Sequence, residues 1–404
     1  MRILLAGVPF GCENVGDEAI LECAVGIFRE VFPGAHLTAS TGDPERTAAR
    51  LGIETCRLLG FFNDVSPEET RSIIGAHDVF VWCGATGLSD YPLVTPVLMR
   101  VAQSLGKKTL LWGVGMNDAL NPVFHKVQPG RYSKLLRLAT LATLGLVDAI
   151  RIEEKRRDTR SRAAIAECLN AADLVILRDT QSRGEVIRSG VTREVHVGSD
   201  SAILLQADSL EGMALAPGVM EMLQSDGPKI GLCVSAQSAI KKERELAQCL
   251  DELAAGTGAH IVAIPMNPLT DSALMARLVG RMLHRERVTV LTGEYQPGEI
   301  LAVASRMSVV VSSRLHLLIL SAVAGIPIVG IARGSKVDNF LDHFGLAPVG
   351  SVDECDFTAL QGEVKRLLES PEAYRARAVA VQSEGLARLE SAKVLLKAAL
   401  SGIQ

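Results

Sequence analysis

Residues 309–341 read VVVSSRLHLLILSAVAGIPIVGIARGSKVDNFL. A β-branched run at Val309-Val310-Val311 enters two serines, an apolar segment of helical character follows from Leu315, and a second β-rich run stands at 328–331. Strand, helix and strand in so short a span form a βαβ unit, which demands a parallel sheet. The same stretch is apolar enough between Leu315 and Ala332 to raise the question of a membrane span. Gly325-Ile326-Pro327 would break such a helix at its middle, so the segment reads as helix, turn and buried strand.

Working outward, the same alternation fills the chain. Second-half strands are expected at 229–235, 260–265, 288–291, 308–311 and 328–331, with helices at 241–255, 271–283, 297–304 and 315–324. First-half strands are expected at 3–8, 35–40, 78–83, 109–114, 174–177 and 195–198, and 18–31 places Ile20, Leu21, Ala24, Ile27, Phe28 and Val31 on one helical face. Between them, 206–228 loosens around Gly212, Pro217, Gly218, Gly227 and Pro228. The fold class is therefore α/β: two Rossmann-like domains, 1–210 and 228–404, with a cleft between them where ligands of open parallel sheets bind. One insertion, 131–170, departs from the alternation. It reads as two long helices, 131–150 rich in leucine with basic residues at its start and 153–170 carrying interleaved charge. A helix packed on the sheet beside a solvated one is the plain reading; a membrane-proximal surface or a dimer surface are the sharper ones.

Bulk properties exclude several functions. With 404 residues the chain exceeds a single core, and 48% apolar with 22% charged residues is ordinary globular usage. A formal net charge of -4 offers no global basic field for nucleic acid. Eight scattered cysteines without a C-x-x-C pair suit free thiols in a reducing compartment. The N-terminal apolar run is too short for a signal peptide, so a cytoplasmic protein is expected, membrane-associated only on the membrane-proximal reading of the insertion. No H-x-x-H or clustered carboxylates suggest a metal, and no cofactor is expected.

The chemistry concentrates at strand ends. Ser312 and Ser313 can cap the helix beginning near Leu315, leaving its first backbone N–H groups to face a ligand. Arg314 and His316 in its first turn add positive charge to the helix dipole, and an arginine's planar fork matches a carboxylate or phosphate. A cation at that place opposes the dipole, so something must offset it. Lys336 follows the next strand and supplies a second positive charge, while Asp338 orients it or accepts a sugar hydroxyl. In the first half, the loop Gly7 to Ala19 lacks the G-x-G-x-x-G spacing. Asn14, Asp17 and Glu18 suit the binding of hydroxyls, with simple helix capping by the two acids as the competing reading. Arg178, after the strand at 174–177, is placed to bind a carboxylate or phosphate, or to pair with Asp179. Asp200 ends the last first-half strand and serves the domain junction or the substrate.

The N-V-G-D-E-A-I-L loop, the Arg178-Asp179 segment, V-G-S-D-S-A-I-L-L at 197–205 and the final S-R-L-H…G-I-P-I-V-G…K-V-D-N-F-L block resemble, in order, the polysaccharide pyruvyl transferases. The resemblance implies a GT-B-like fold and transfer of a pyruvyl group from phosphoenolpyruvate to a sugar of a cell-surface polysaccharide or its precursor, forming a ketal across two hydroxyls. It places Arg314 and His316, the candidate catalytic pair, on the family's arginine and histidine positions in the donor site and Arg178 on a further arginine there; the residues themselves add Ser312, Ser313 and Lys336 to the donor side. By their hydroxyl-binding chemistry Asn14, Asp17, Glu18 and Asp338 are assigned to the acceptor. Where the family shows a glycine triplet and a serine, this chain has Cys83-Gly84-Ala85-Thr86-Gly87-Leu88-Ser89-Asp90. His316 is the candidate acid for protonating the donor's methylene, since an imidazole titrates near roughly 6.5. Two other functions fit the same residues: a GT-B glycosyltransferase using a nucleotide sugar, and a non-catalytic glycan-binding member.

Overall fold

The apolar run Val79-Phe80-Val81-Trp82-Cys83 becomes a strand with no exposed residue, and Lys229–Cys233 is a second strand buried throughout. Parallel strands covered on both faces by helices need such unbroken runs, because neither pleat face meets water. A computed structural model of the chain describes residues 1–62, 64–236 and 240–402. These residues form two compact units, each with its own parallel sheet.

The first unit comprises Met1–Pro9, Phe28–Gly198 and Ser391–Gln404. Its strands are β1 (Arg2–Gly7), β2 (His36–Thr41), β3 (Glu54–Arg57), β4 (Val79–Cys83), β5 (Lys108–Val114), β6 (Leu174–Leu177) and β7 (His196–Val197). Among the described residues they pair in the order β3-β2-β1-β4-β5-β6-β7, every pair parallel. The chain thus starts in the middle of the sheet, winds to one edge, returns and winds to the other, as a Rossmann-like sheet does. Register slips between Trp112 and Val114, where Gly113 takes φ +63° and forms a bulge.

The second unit comprises Phe10–Ile27 and Ser199–Glu390. Its strands are β8 (Lys229–Cys233), β9 (His260–Ala263), β10 (Val288–Val290), β11 (Val309–Ser312) and β12 (Ile328–Gly330), in the order β10-β9-β8-β11-β12 and again all parallel. Its core gathers Ile230, Leu232, Leu250, Ile261, Val309, Val311 and Leu318, each nearly or fully buried. Each buried aliphatic side chain of this kind contributes about 1.5–3 kcal/mol to holding the sheet against its helices.

The expected strands are found, with one addition. β3 was not expected, because Glu-Thr-Cys-Arg is a short polar edge with no apolar alternation. The units also differ from two continuous halves: the second begins at Ser199 and takes in Phe10–Ile27, and the first takes back Ser391–Gln404. In the insertion, the helices are Arg131–Ala142 and Ala149–Asn170. The first stops earlier than expected because Leu144 and Gly145 adopt left-handed φ of +51° and +80°, after which Asp148 caps the second by accepting from the Arg151 N–H. The apolar stretch after Arg314 is helix Leu315–Val323, a turn at Gly325 and strand β12, as its Gly-Ile-Pro required. Among the described residues no helix is long and apolar enough to cross a membrane.

Candidate functional site

At the carboxyl end of β11 the chain turns sharply into helix Leu315–Val323. The serines do not cap that helix. Arg314 itself is the N-cap residue, in extended conformation, and no side chain caps the first turn. Ser312 Oγ donates to the Arg314 carbonyl and accepts from the Arg314 N–H, both at 2.9 Å, while Ser313 Oγ accepts from the Ser235 N–H at 3.0 Å. Both serines are fully buried, so their hydroxyls serve the backbone of the turn. The N–H groups of Leu315, His316 and Leu317 therefore lack an intrahelical acceptor, as at any helix start.

The offset to the cation at this helix end is Asp271. Arg314 Nε donates to Asp271 Oδ2 at 3.0 Å and Nη2 to Oδ1 at 2.8 Å, with a longer contact from Nη2 to Thr270 Oγ1. Asp271 has no exposed surface and accepts further from the N–H groups of Ala236 and Asn267. A bidentate pair so enclosed neutralises its own charges, and the fork expected to meet the donor is taken. Among the described residues Arg314 keeps only Nη1 without a partner. Asp271 carried no motif in the sequence. Its signal lay in its place, four residues after the Asn267 cap, in the first turn of the helix Pro268–Gly280 that follows β9.

The loop from Phe10 to Val15 belongs to this unit and is tied to the same corner. Val15 N–H donates to the Met266 carbonyl at 2.9 Å and Asn267 Nδ2 to the Cys12 carbonyl at 3.3 Å. Glu18 Oε1 accepts from the Gly11 N–H at 2.6 Å, folding the loop over the start of helix Val15–Val31. Asn14 Nδ2 donates to Asp17 Oδ2 at 2.6 Å. Burial, followed by the Glu18, Asp17 and Glu13 carboxylates, pushes the Cys12 thiol up to about 11.

His316 lies directly against this loop. A Cβ built on Gly16 would fall 2.1 Å from His316 Nδ1 and 2.3 Å from Cγ, so only a glycine leaves room for the imidazole. On its other side Nε2 stands 3.6 Å from Asp200 Oδ2, beyond hydrogen-bond reach, and has no hydrogen-bond partner among the described residues. Asp200 is buried and caps the following turn by accepting from the Ala202 N–H at 3.0 Å. Asp17 is buried too. Desolvation pushes its carboxyl up to about 6 despite the opposing pull of His316, Lys336 and the Asn14 amide, with Glu18 adding to the rise. The structure thus gathers Asn14, Glu18, His316 and Lys336, expected to serve two different substrates in two domains, around one carboxylate, Asp17, in one unit. Gly16 and Asp200 complete the group. Asp338 lies half-buried on the same helix as Lys336, Ser335–Asp342, while Arg333 just before it donates to Ser235 Oγ at 2.5 Å. No three or more His, Cys, Asp or Glu side chains among the described residues are placed to hold a metal ion.

Arg178 belongs to the first unit. Its Nε donates to Asp179 Oδ2 at 3.1 Å, and its guanidinium covers Gly115, whose missing Cβ would lie 2.8 Å from Nη2. Burial pushes the Asp179 carboxyl up, but Arg178 and donation from Ser182 outweigh it and hold the group below the usual carboxylate range. The bulge at Gly113 delivers Gly115 to this place, and its N–H donates to the Ala85 carbonyl at 2.6 Å. The segment Cys83–Asp90, which departs from the expected glycine triplet, therefore packs beside Arg178, with Ala85 itself at φ +47°.

Comparison with solved structures gives the fold an independent reading. The crystal structure of Anabaena HepE in complex with UDP-glucose superposes at TM-score 0.59 with 12% identity, over 100% of both chains. UDP-GlcNAc 2-epimerase from Neisseria meningitidis bound to UDP-GlcNAc gives 0.59 with 14% identity over 98% of this chain and 100% of that one. The spinosyn forosaminyltransferase SpnP gives 0.55 with 16% identity over 99% and 100%. At such identities the likeness is one of fold, that of GT-B-type proteins built from two Rossmann-like domains. No curated protein matches the chain by sequence. The family model described as polysaccharide pyruvyl transferase does match, over residues 14–335, which take in the Asn14 loop, Arg178, Asp200 and the Arg314-His316 turn. On that match the chain belongs to the polysaccharide pyruvyl transferase family.

Proposed function

We propose that the chain transfers the pyruvyl group of phosphoenolpyruvate to two hydroxyls of a saccharide, forming a ketal and releasing inorganic phosphate. The observation that carries the reading is the His316 imidazole, pressed on Gly16, with its Nε2 unbonded and two buried carboxylates, Asp17 and Asp200, beside it. Such a ring nitrogen, unengaged by the protein, is placed to pass a proton to a bound donor. In the proposed sequence His316 Nε2 gives its proton to the methylene carbon of the donor. A first hydroxyl bonds the central carbon and passes its proton to Asp17, whose raised affinity suits a base working near neutrality. The second hydroxyl bonds the same carbon as the C–O bond to phosphate breaks, and its proton leaves with the phosphate. Transfer of a proton from Asp17 to His316 restores the start. Lys336, Arg314 Nη1 and the N–H groups of the Leu315 helix are proposed to bear the donor's negative charge, and Asn14, Glu18 and Asp338 to meet the acceptor. Arg178 is proposed as a further donor ligand, tested separately by the rise in KM for phosphoenolpyruvate in Arg178→Lys.

Two of the fold neighbours carry UDP-glucose and UDP-GlcNAc, and this supports a second reading as a glycosyltransferase using a nucleotide sugar. One titration separates the two. Phosphoenolpyruvate, UDP and GDP are each added to the full chain in thermal-shift and calorimetric titrations. Saturable stabilisation by phosphoenolpyruvate, reaching about 2.7 kcal/mol at a hundredfold excess over Kd, is the expected result. His316→Ala should retain that binding while slowing phosphate release with a saccharide acceptor by roughly 10²–10⁴-fold. Stabilisation by a nucleoside diphosphate alone would transfer the assignment to glycosyl transfer.

A further inference from the structure

The helical insertion of the first unit leaves a large apolar surface uncovered. Leu135, Leu138 and Leu141 on helix Arg131–Ala142 are each more than 60% exposed, and the turn beyond it presents Leu144 at 91% and Leu146 at 88%. Ser133, Leu136 and Thr140 point the other way and supply the buried or half-buried face. At 100° per residue, Leu135, Leu138 and Leu141 share one arc with Arg131, Lys134 and Arg137, so leucines and cations alternate on the same outward face. Scattered single leucines on a surface need no explanation, but a contiguous row ending in a bare apolar tip does.

Charge decides what covers it. Residues 131–156 hold six basic and three acidic side chains, in a chain whose formal net charge is -4. The acids are engaged: Asp148 caps its helix, Glu153 accepts from Arg157, and Glu154 accepts from Lys126 and the Val127 N–H. Arg131, Lys134, Arg137 and Arg151 are exposed and form no ion pair among the described residues. A second copy of this face would set those cations against themselves across a two-fold contact. An anionic bilayer surface meets both features at once, since leucines enter the acyl boundary while lysine and arginine stems reach the headgroups.

We propose that the hairpin of helices Arg131–Ala142 and Ala149–Asn170 is a peripheral membrane-docking element for anionic phospholipid surfaces, with Leu144 and Leu146 as its inserting tip. The proposal is independent of the donor chemistry. The test is flotation of the full chain with phosphatidylcholine vesicles and with vesicles that also contain phosphatidylglycerol, at low and high salt. Binding to the anionic vesicles should be roughly tenfold or more stronger than to neutral ones and should weaken with salt. Leu144→Ser with Leu146→Ser, and Lys134→Glu with Arg137→Glu, should each reduce it by roughly tenfold while leaving the melting temperature unchanged. A Leu144→Cys chain labelled with an environment-sensitive dye gives a second readout, a blue shift only with anionic vesicles. Failure to float with either composition, equal flotation of the variants, or a native dimer that the leucine variant converts to monomer would overturn the proposal, the last by assigning the face to a second copy.

Discussion

Gly16 sits second in helix Val15–Val31, where an alanine would ordinarily favour the helix by up to about 1 kcal/mol. Here the added methyl meets the His316 ring at 2.1 Å, so the ring must move. Gly16→Ala is expected to keep the fold and lose activity by about 100-fold, the scale of a displacement near 1 Å in a positioned group; phosphate release and a melting curve on the same sample check it. Asp17 gives the opposite balance. Its carboxyl rises from the ordinary 3.8 to about 6, so the folded chain binds that proton more tightly than the unfolded one does. The stabilisation is whole below pH 3.8 and is lost as pH rises through about 6. Asp17→Asn should therefore melt higher than the native chain at pH 7.5, by on the order of 2–3 kcal/mol of stability, and the gain should vanish in acid. A native chain equally stable at both ends would refute the buried-carboxylate account. Asn14, Asp17 and His316 were legible from their residue types beside strand ends. Gly16 was not, because a glycine's partner 300 positions away leaves no local trace.

Helix Leu315–Val323 depends on the Arg314–Asp271 pair at its start more than on any cap. Asp271→Leu leaves a buried guanidinium uncompensated and should cost about 3–5 kcal/mol in denaturant unfolding. Adding Arg314→Met removes the stranded charge, yet the N–H groups of Ala236 and Asn267 still lose their acceptor. The double variant should recover part of the loss and remain destabilised by about 1–3 kcal/mol for each orphaned amide. Full recovery would mean that the carboxylate serves the arginine alone. Elements with strong periodicity were readable in advance: helix Pro297–Ala304 and strand β6 fall where the apolar pattern put them. β3, polar and half-exposed, gave no such pattern. The cap of the Leu315 helix was misread because two serines before a helix normally accept its first N–H groups, and here both were already committed to the loop.

The two units each close a parallel sheet, but neither is a continuous piece of chain. The segment Ser391–Gln404 buries Ala392, Leu396 and Leu400 in the first unit, and Lys393 donates to Glu30 at 2.8 and 2.9 Å. Ending the chain at Glu390 removes two buried leucines worth about 1.5–3 kcal/mol each. Calorimetry should show the melting temperature of the truncated chain several degrees lower, and an unchanged trace would deny the segment its structural part. Sequence pattern reveals strands and their order of appearance; it does not reveal that a chain's last helix returns to its first sheet, since that is a matter of long-range packing. The cysteines hold one more consequence. All eight are free, and burial leads the causes that raise every one of their thiols above the ordinary value. Because only the thiolate attacks, the native chain should react slowly with maleimides at neutral pH, which a thiol titration with and without denaturant checks. A single cysteine placed on an exposed turn would then be the one handle that reacts, so that spectroscopic reporters can be attached to this protein without first rebuilding it cysteine by cysteine.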